Sequence, residues 1–222
     1  MSLPLRNRIK RGGSHTRVAA AVLAGAVLLG GCFTGERPSF DDEDPLETES
    51  GDEAVDAILE RLDAVAPTQF TAQYEILTRL GGLDSEATVV QADNSRRSIT
   101  INDVRFIDSA DTIATCDLST GECEATLNDA RVSDLQLSHE FYAKNFARRL
   151  RVDANRRVGD TTGYTITQAG QQVLCVDVPV TGGSVSYCAL DSGPLARYDG
   201  NDLFIQMTSV TNVPDESMFA TN

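Results

Sequence analysis

The chain of 222 residues has no tryptophan and few of the side chains on which common catalytic mechanisms depend. Beyond the first 31 residues the only histidine is His139. A histidine-activated nucleophile would have to use it, and one histidine cannot supply a zinc site that needs two or three. Neither a Gly-x-Ser-x-Gly turn nor a phosphate-binding glycine loop is present. A glycosidase-like acid pair stays open, but no two carboxylates are singled out. We expect no enzymatic activity, no cofactor and no metal site.

Positive charge is also scarce. The chain has 19 basic and 33 acidic residues, a net charge of −14, and lysine occurs only at positions 10 and 144. Without the first 31 residues, 14 basic residues face 33 acidic ones, a net charge of −19. Nucleic acids and anionic lipid surfaces attract basic patches, so this balance argues against both as electrostatic partners.

The N-terminal 31 residues have the pattern of an export signal. Basic residues precede an apolar run that begins at Val18 and ends in Leu29-Gly30-Gly31-Cys32. The run is shorter than the roughly 20 residues of a membrane-spanning helix. Leu-Gly-Gly-Cys resembles the lipobox of bacterial lipoproteins. This resemblance implies cleavage before Cys32, diacylglycerol on its thiol, acyl chains such as palmitate in the membrane, and a location on the extracytoplasmic face of the cell membrane.

Two other interpretations of this segment stay open, an ordinary secretory signal with a chance cysteine and an uncleaved anchor. Residues 32–51 then form a lipidated cysteine and an acidic tether, because seven acidic residues and two prolines favour an extended coil. Calcium binding at residues 41–44 is the alternative, but the spaced ligands of a calcium loop are missing.

Four cysteines remain for a single domain over residues 52–222. Three pairings are possible in an oxidising compartment, and we favour Cys116–Cys123 and Cys175–Cys188, because each pair brackets its own turn. A tetrathiolate zinc site is the competing interpretation, but its short Cys-x(2–4)-Cys spacing is absent.

Alternating apolar and polar residues predict about eleven short strands in an antiparallel α+β domain. The predicted strands cover residues 70–76, 87–92, 97–101, 104–107, 112–116, 122–127, 164–168, 172–180, 184–190, 195–198 and 202–210. A first helix over residues 52–65 begins at Asp52 and presents one apolar stripe.

A second helix is predicted over residues 139–152, with Ser138 as its cap. Tyr142, Phe146 and Leu150 form an i, i+4, i+8 ridge, and Phe141 lies beside it. The ridge is either ordinary core or the lining of an apolar cavity between helix and sheet.

This order of lipobox, acidic tether, amphipathic helix, strands, mid-chain helix and further strands looks like the LolA-like lipoproteins. Its layout is most similar to the LppX/LprG type of actinobacteria. The resemblance covers about residues 52–219 and implies a curved, eleven-stranded half-open barrel with two main helices on its concave side. It also implies a cavity that binds or carries a lipid.

Two functional hypotheses follow. The first is a membrane-anchored lipoprotein that holds an apolar ligand in a cavity at Phe141, Tyr142, Phe146 and Leu150. The alternative is a non-catalytic structural or interaction module with a filled core, displayed at the cell envelope. Truncation of Phe146 distinguishes the two, because a packed ring costs roughly 3–5 kcal/mol to remove.

Overall fold

The computed structural model describes residues 50–64, 68–92 and 96–221. The signal segment, Cys32 and the tether up to residue 49 lie outside these ranges. Within them, no helix is both long and apolar enough to cross a bilayer. The helices are α1 (Glu53–Asp63) and α2 (Lys144–Asn155), and two 3-10 segments cover Asp129–Leu135 and Glu216–Phe219.

Eleven antiparallel strands form one curved, unclosed sheet. The sequence pattern predicts the antiparallel strands and their number, and the resemblance to LolA-like lipoproteins implies the half-open shape. The strands are β1 (Phe70–Thr78), β2 (Leu83–Gln91), β3 (Arg97–Ile101), β4 (Val104–Asp108), β5 (Ile113–Asp117), β6 (Cys123–Glu124), β7 (Thr162–Gln168), β8 (Gln171–Val180), β9 (Gly183–Leu190), β10 (Leu195–Asp199) and β11 (Leu203–Thr211). Alternating burial along β1 separates a core-facing side from an outward side.

The strand order explains where the second helix lies. The sheet runs β6-β5-β4-β3-β2-β1-β11-β10-β9-β8-β7, so β6 and β7 are its two edges although they follow each other in sequence. The connection between them must therefore pass from one edge to the other. It does so over the concave side and carries α2 into the core.

Helix α1 starts where the sequence predicts. Asp52 adopts an extended conformation and its carboxylate accepts hydrogen bonds from the backbone N–H groups of Ala54 and Val55. Burial raises the pKa of Asp52, but these bonds and one from the Thr161 hydroxyl outweigh it and lower the pKa below its usual value. The apolar stripe of α1 is buried against α2 and strands β7 to β9.

Helix α2 differs from its prediction. It begins at Lys144, and residues 139–143 form turns. Ser138 accepts hydrogen bonds from the Glu140 N–H and the Asn145 side-chain amide, so it stabilises this turn. Phe141 and Tyr142 are both fully buried, and neighbouring positions of a helix do not share a face. The turn allows both rings to enter the core.

Both disulfides form as predicted. Cys116 and Cys123 are directly opposite each other on β5 and β6, and Cys175 and Cys188 on β8 and β9. The Cα–Cα distance is 4.0 Å in each pair, as expected between non-hydrogen-bonded antiparallel partners. β6 is shorter than predicted.

Candidate functional site

The concave side of the sheet is where the sequence places its candidate cavity. Phe141, Tyr142, Phe146 and Leu150 are at most 3% exposed and belong to one continuous core. The Phe141 ring meets Tyr74 edge to face at 5.2 Å between centroids, and Tyr142 meets Phe70 at 5.9 Å. These distances are typical of packed aromatic pairs.

A second aromatic group surrounds Phe146. Its ring lies 4.7 Å from that of Tyr198 and 6.4 Å from that of Tyr187, and these two tyrosine rings lie 5.0 Å apart. The Arg149 guanidinium lies 4.7 Å from the Tyr198 ring and donates two hydrogen bonds, of 2.6 and 2.7 Å, to Asp202. Helix α2 is therefore held to β10 by ring contacts, and to the turn between β10 and β11 by the ion pair of Arg149 with Asp202.

Two tyrosine hydroxyl groups of this core donate hydrogen bonds to polar side chains. The Tyr142 hydroxyl donates to Gln91 Oε1 at 3.3 Å, and burial raises the pKa of Tyr142 to about 12. Burial also raises the pKa of Tyr187 well above its usual value, with Asp153 adding to the shift. These hydroxyl groups stay protonated and act as hydrogen-bond donors in the core.

His139 lies at the far end of the same connection. Its Nδ1 is 2.9 Å from Asp129 Oδ1, and its ring is tilted against that of Phe106 at 5.7 Å. Across the ranges that the structure describes, no group of three or more potential ligands is placed to hold a metal ion. His139 links the 3-10 segment to the sheet.

Two open pockets lie outside the aromatic core. One, of about 860 Å³, lies on the outward side of β1, β2 and β11. Its lining includes Glu75, Leu77, Asp84, Glu86, Asp103 and Phe204. Glu75 and Glu86 are direct cross-strand partners, an arrangement that costs stability because their charges repel.

The other pocket, which we call the α1–β7 groove, has a volume of about 640 Å³. Its lining includes Glu53, Ala54, Ala57, Arg157, Asp160 and Gly163. Gly163 lets α1 approach β7 closely, since a Cβ at this position would come within 3.2 Å of Ala54 Cβ. Sequence reasoning missed this groove, because it depends on α1 and β7 meeting across more than a hundred residues.

No protein-family model matches this sequence, and no curated protein matches it either. Among solved structures, a chain of the MucA/MucB complex of Pseudomonas aeruginosa matches with a TM-score of 0.50 and 13% identity. The match covers 75% of this chain and 60% of that chain. At this identity it shows a shared fold alone.

Two further structures match less well. A crystal structure of MucB has a TM-score of 0.46 and 12% identity, over 77% of this chain and 63% of that one. MucB in complex with MucA(peri) has a TM-score of 0.41 and 12% identity, over 71% and 55%. This chain therefore spans about 60% of the length of the solved chains that it resembles.

Proposed function

We propose that this protein is a membrane-anchored lipoprotein of the cell envelope whose half-barrel binds another protein without catalysing a reaction. The observation that carries the proposal is the filling of the concave side, where the aromatic rings of α2 and the turn before it pack against those of the sheet. Because the concave side is filled by these rings, the surface that recognises a partner would lie elsewhere on the domain.

The structural likeness supports the same class of function. The solved MucB structures include complexes with MucA, so a protein of this fold binds a protein partner. The anchor is the diacylglycerol that the lipobox implies on Cys32, and the acidic segment after it would hold the domain away from the lipid. The strong negative charge favours a partner with basic residues.

Lipid carriage in the half-barrel is the second candidate function. It is favoured by the unclosed sheet itself, whose concave side is the place where an acyl chain would lie. Under this hypothesis Phe141, Tyr142, Phe146 and Leu150 would have to separate and admit the chain. Their burial of 97% or more favours the interaction module.

Native mass spectrometry separates the two functions. The mature chain with Cys32→Ser, exported and then incubated with membrane lipids, is expected to keep its bare mass. A discrete added mass that extracts into solvent as lipid would overturn the interaction proposal in favour of carriage.

A second experiment seeks the protein partner directly. Photo-crosslinking residues placed at exposed positions of the lipidated protein are expected to capture a defined membrane or envelope protein. The matched Cys32→Ser variant should lose this product if the anchor brings the two together. The absence of any site-dependent product would contradict the proposal.

A further inference from the structure

The two edges of the sheet are built differently. The β6 edge is two residues long, is crosslinked through Cys123 and includes the charged Glu124. The β7 edge is seven residues long, Thr-Gly-Tyr-Thr-Ile-Thr-Gln, with no charge and no proline. Proteins commonly protect sheet edges with short strands, charges, prolines or bulges. β6 has such protection, and β7 has none.

The register of β7 shows which backbone groups are free. Ala169 and Gly170 form the turn between β7 and β8, both with positive φ, so Gln168 and Gln171 form the hydrogen-bonded pair that closes the hairpin. Alternation along the strand then directs the N–H and C=O groups of Gly163, Thr165 and Thr167 away from β8.

These three residues are exposed. Within the ranges that the structure describes, no backbone hydrogen bond reaches them from outside β7 and β8. The pairing of β7 with β8 continues without a bulge from Thr162 to Gln168. β7 therefore presents a regular row of backbone donors and acceptors, spaced as another strand requires.

We propose that β7 is the docking edge for an extended segment of a partner protein, which pairs with it as a twelfth strand. This inference rests on the proposed interaction function and names its surface. The row of free backbone groups at Gly163, Thr165 and Thr167 specifies an extended segment and sets its register.

The α1–β7 groove specifies the side chains of that segment. A strand paired with β7 directs alternate side chains toward the groove, which has a volume of about 640 Å³ and small side chains at Ala54 and Ala57. Glu53 and Asp160 line the groove, and neither forms an ion pair with another described residue. The segment that fits combines β-branched residues with a lysine or arginine.

A second copy of this chain is the competing occupant. Two β7 edges related by a two-fold axis could pair around Thr165. However, each mature copy would carry a net charge of −19, and repulsion between like-charged copies opposes this dimer. The charge therefore favours a basic partner over self-association.

A synthetic strand tests the docking edge. The probe is a dye-labelled peptide of alternating threonine and valine with a lysine at each end, added to the full lipidated mature protein in detergent micelles. We expect saturable binding by fluorescence anisotropy and amide exchange at Thr165 and Thr167 that slows by about tenfold or more. Absence of binding, or protection only on the outward side of β1 and β2, would overturn the proposal.

Matched variants make the test specific. Thr165→Pro removes an outward N–H without breaking a bond to β8, so it should abolish peptide binding, whereas Thr165→Val should retain it. If Thr165→Pro does not fold, the same peptide with N-methylated amides on its pairing edge takes its place and should not bind. Equal binding of N-methylated and unmodified peptides would contradict strand pairing.

Two further outcomes identify the occupant. A glutamate-ended peptide should bind at least about tenfold more weakly than the lysine-ended one. Equal affinities would overturn the inference that the partner segment carries basic residues. A dimer in sedimentation that Thr165→Pro disrupts would assign the edge to a second copy. If crosslinking captures a partner but only through other surfaces, this inference fails and the proposed function stands.

Discussion

The two cysteine hairpins share a covalent motif but lie in different environments. Both residues of the Cys175–Cys188 pair have no exposed surface, and Tyr164, the register partner of Cys175, lies beside them. In the other pair, Cys123 is exposed at the edge of the sheet. The β8–β9 hairpin therefore depends on packing as well as on its crosslink, whereas the β5–β6 hairpin depends mainly on the crosslink and its turn.

The turn of the edge hairpin is organised by one carboxylate. Asp117 accepts hydrogen bonds from the Ser119 hydroxyl, the Ser119 N–H and the Thr120 N–H, and it forms an ion pair with Arg131. These contacts add to a small apolar cluster around Cys116, whereas the large core surrounds the β8–β9 hairpin. The Cys116–Cys123 disulfide thus lies at the edge of the sheet, whereas the Cys175–Cys188 disulfide crosslinks two strands inside the core.

The largest expected effect comes from the rings that pack against the β8–β9 hairpin. Phe146→Ala removes a buried ring that contacts Tyr187 on β9 and should lower the free energy of unfolding by about 3–5 kcal/mol. The matched change Phe219→Ala, at a half-buried ring that packs near Cys116, should cost about 1 kcal/mol. Urea denaturation measures both. A cost for Phe146 below that for Phe219 would indicate space around its ring and favour a ligand cavity.

Removal of each disulfide separates crosslinking from packing. The two loops have similar closure entropies, worth roughly 2.5–3 kcal/mol each in the chain-entropy model. Cys175→Ala with Cys188→Ala also empties buried volume and should cost about 1–2 kcal/mol more than the double change at Cys116 and Cys123. Both variants should stay folded, with lowered melting temperatures. Equal losses of stability in the two double variants would mean that burial of Cys175 and Cys188 adds nothing to the effect of their disulfide.

The rate of reduction compares access to the two crosslinks. Exposed Cys123 admits a thiolate reductant, whereas Cys175 and Cys188 become accessible only when the hairpin opens. Under native conditions the edge disulfide should be reduced at least about tenfold faster. Alkylation at timed intervals followed by peptide mass spectrometry measures both rates, and simultaneous reduction would place the two hairpins in one unfolding unit.

The smallest effect concerns Asp117. Hydrogen bonds from the Ser119 hydroxyl and the Thr120 N–H lower the pKa of Asp117 to about 2, below its usual value of 3.8. Because the folded pKa is the lower one, its stabilising effect is fully present above about pH 4 and is lost as the pH falls toward 2. Ser119→Ala should raise this pKa in an NMR titration of the carboxyl group. An unchanged pKa would assign the shift to the backbone N–H groups of Thr120 and Ser119 and to Arg131.

Local patterns in the sequence predict the local parts of this fold. The predicted strand over residues 97–101 has the bounds of β3, and the two cysteine pairs form across the turns that they bracket. β6 is an exception, because the predicted strand covers residues 122–127 and the observed one ends at Glu124. Beyond Glu124 the Thr115 hydroxyl donates to Thr126 O and accepts from the Asn128 N–H. Side-chain bonds of this kind compete with strand pairing and leave no periodic signal.

Whether side chains or a ligand fill the concave side of the sheet could not be predicted in the same way. Periodicity identifies Phe146 and Leu150 as one apolar face, but it does not tell whether rings or a ligand meet that face. The answer depends on Tyr187 and Tyr198, which approach Phe146 only after the sheet has formed. The sequence pattern predicts a strand over residues 164–168, but the position of β7 at the end of the sheet follows from a strand order that no local pattern contains.

The pairing of β1 with β11 also has a consequence for how the chain reaches this structure. Tyr74 lies opposite Met207, so the first and last strands form the centre of the sheet. Contacts between such distant positions are slow to form, because a long loop must close before they stabilise anything. A ribosome completes β1 long before β11, so the two halves of the sheet cannot join until residues 203–211 have been synthesised. A nascent chain that ends before residue 203 should therefore lack the cooperative unfolding transition of the whole domain.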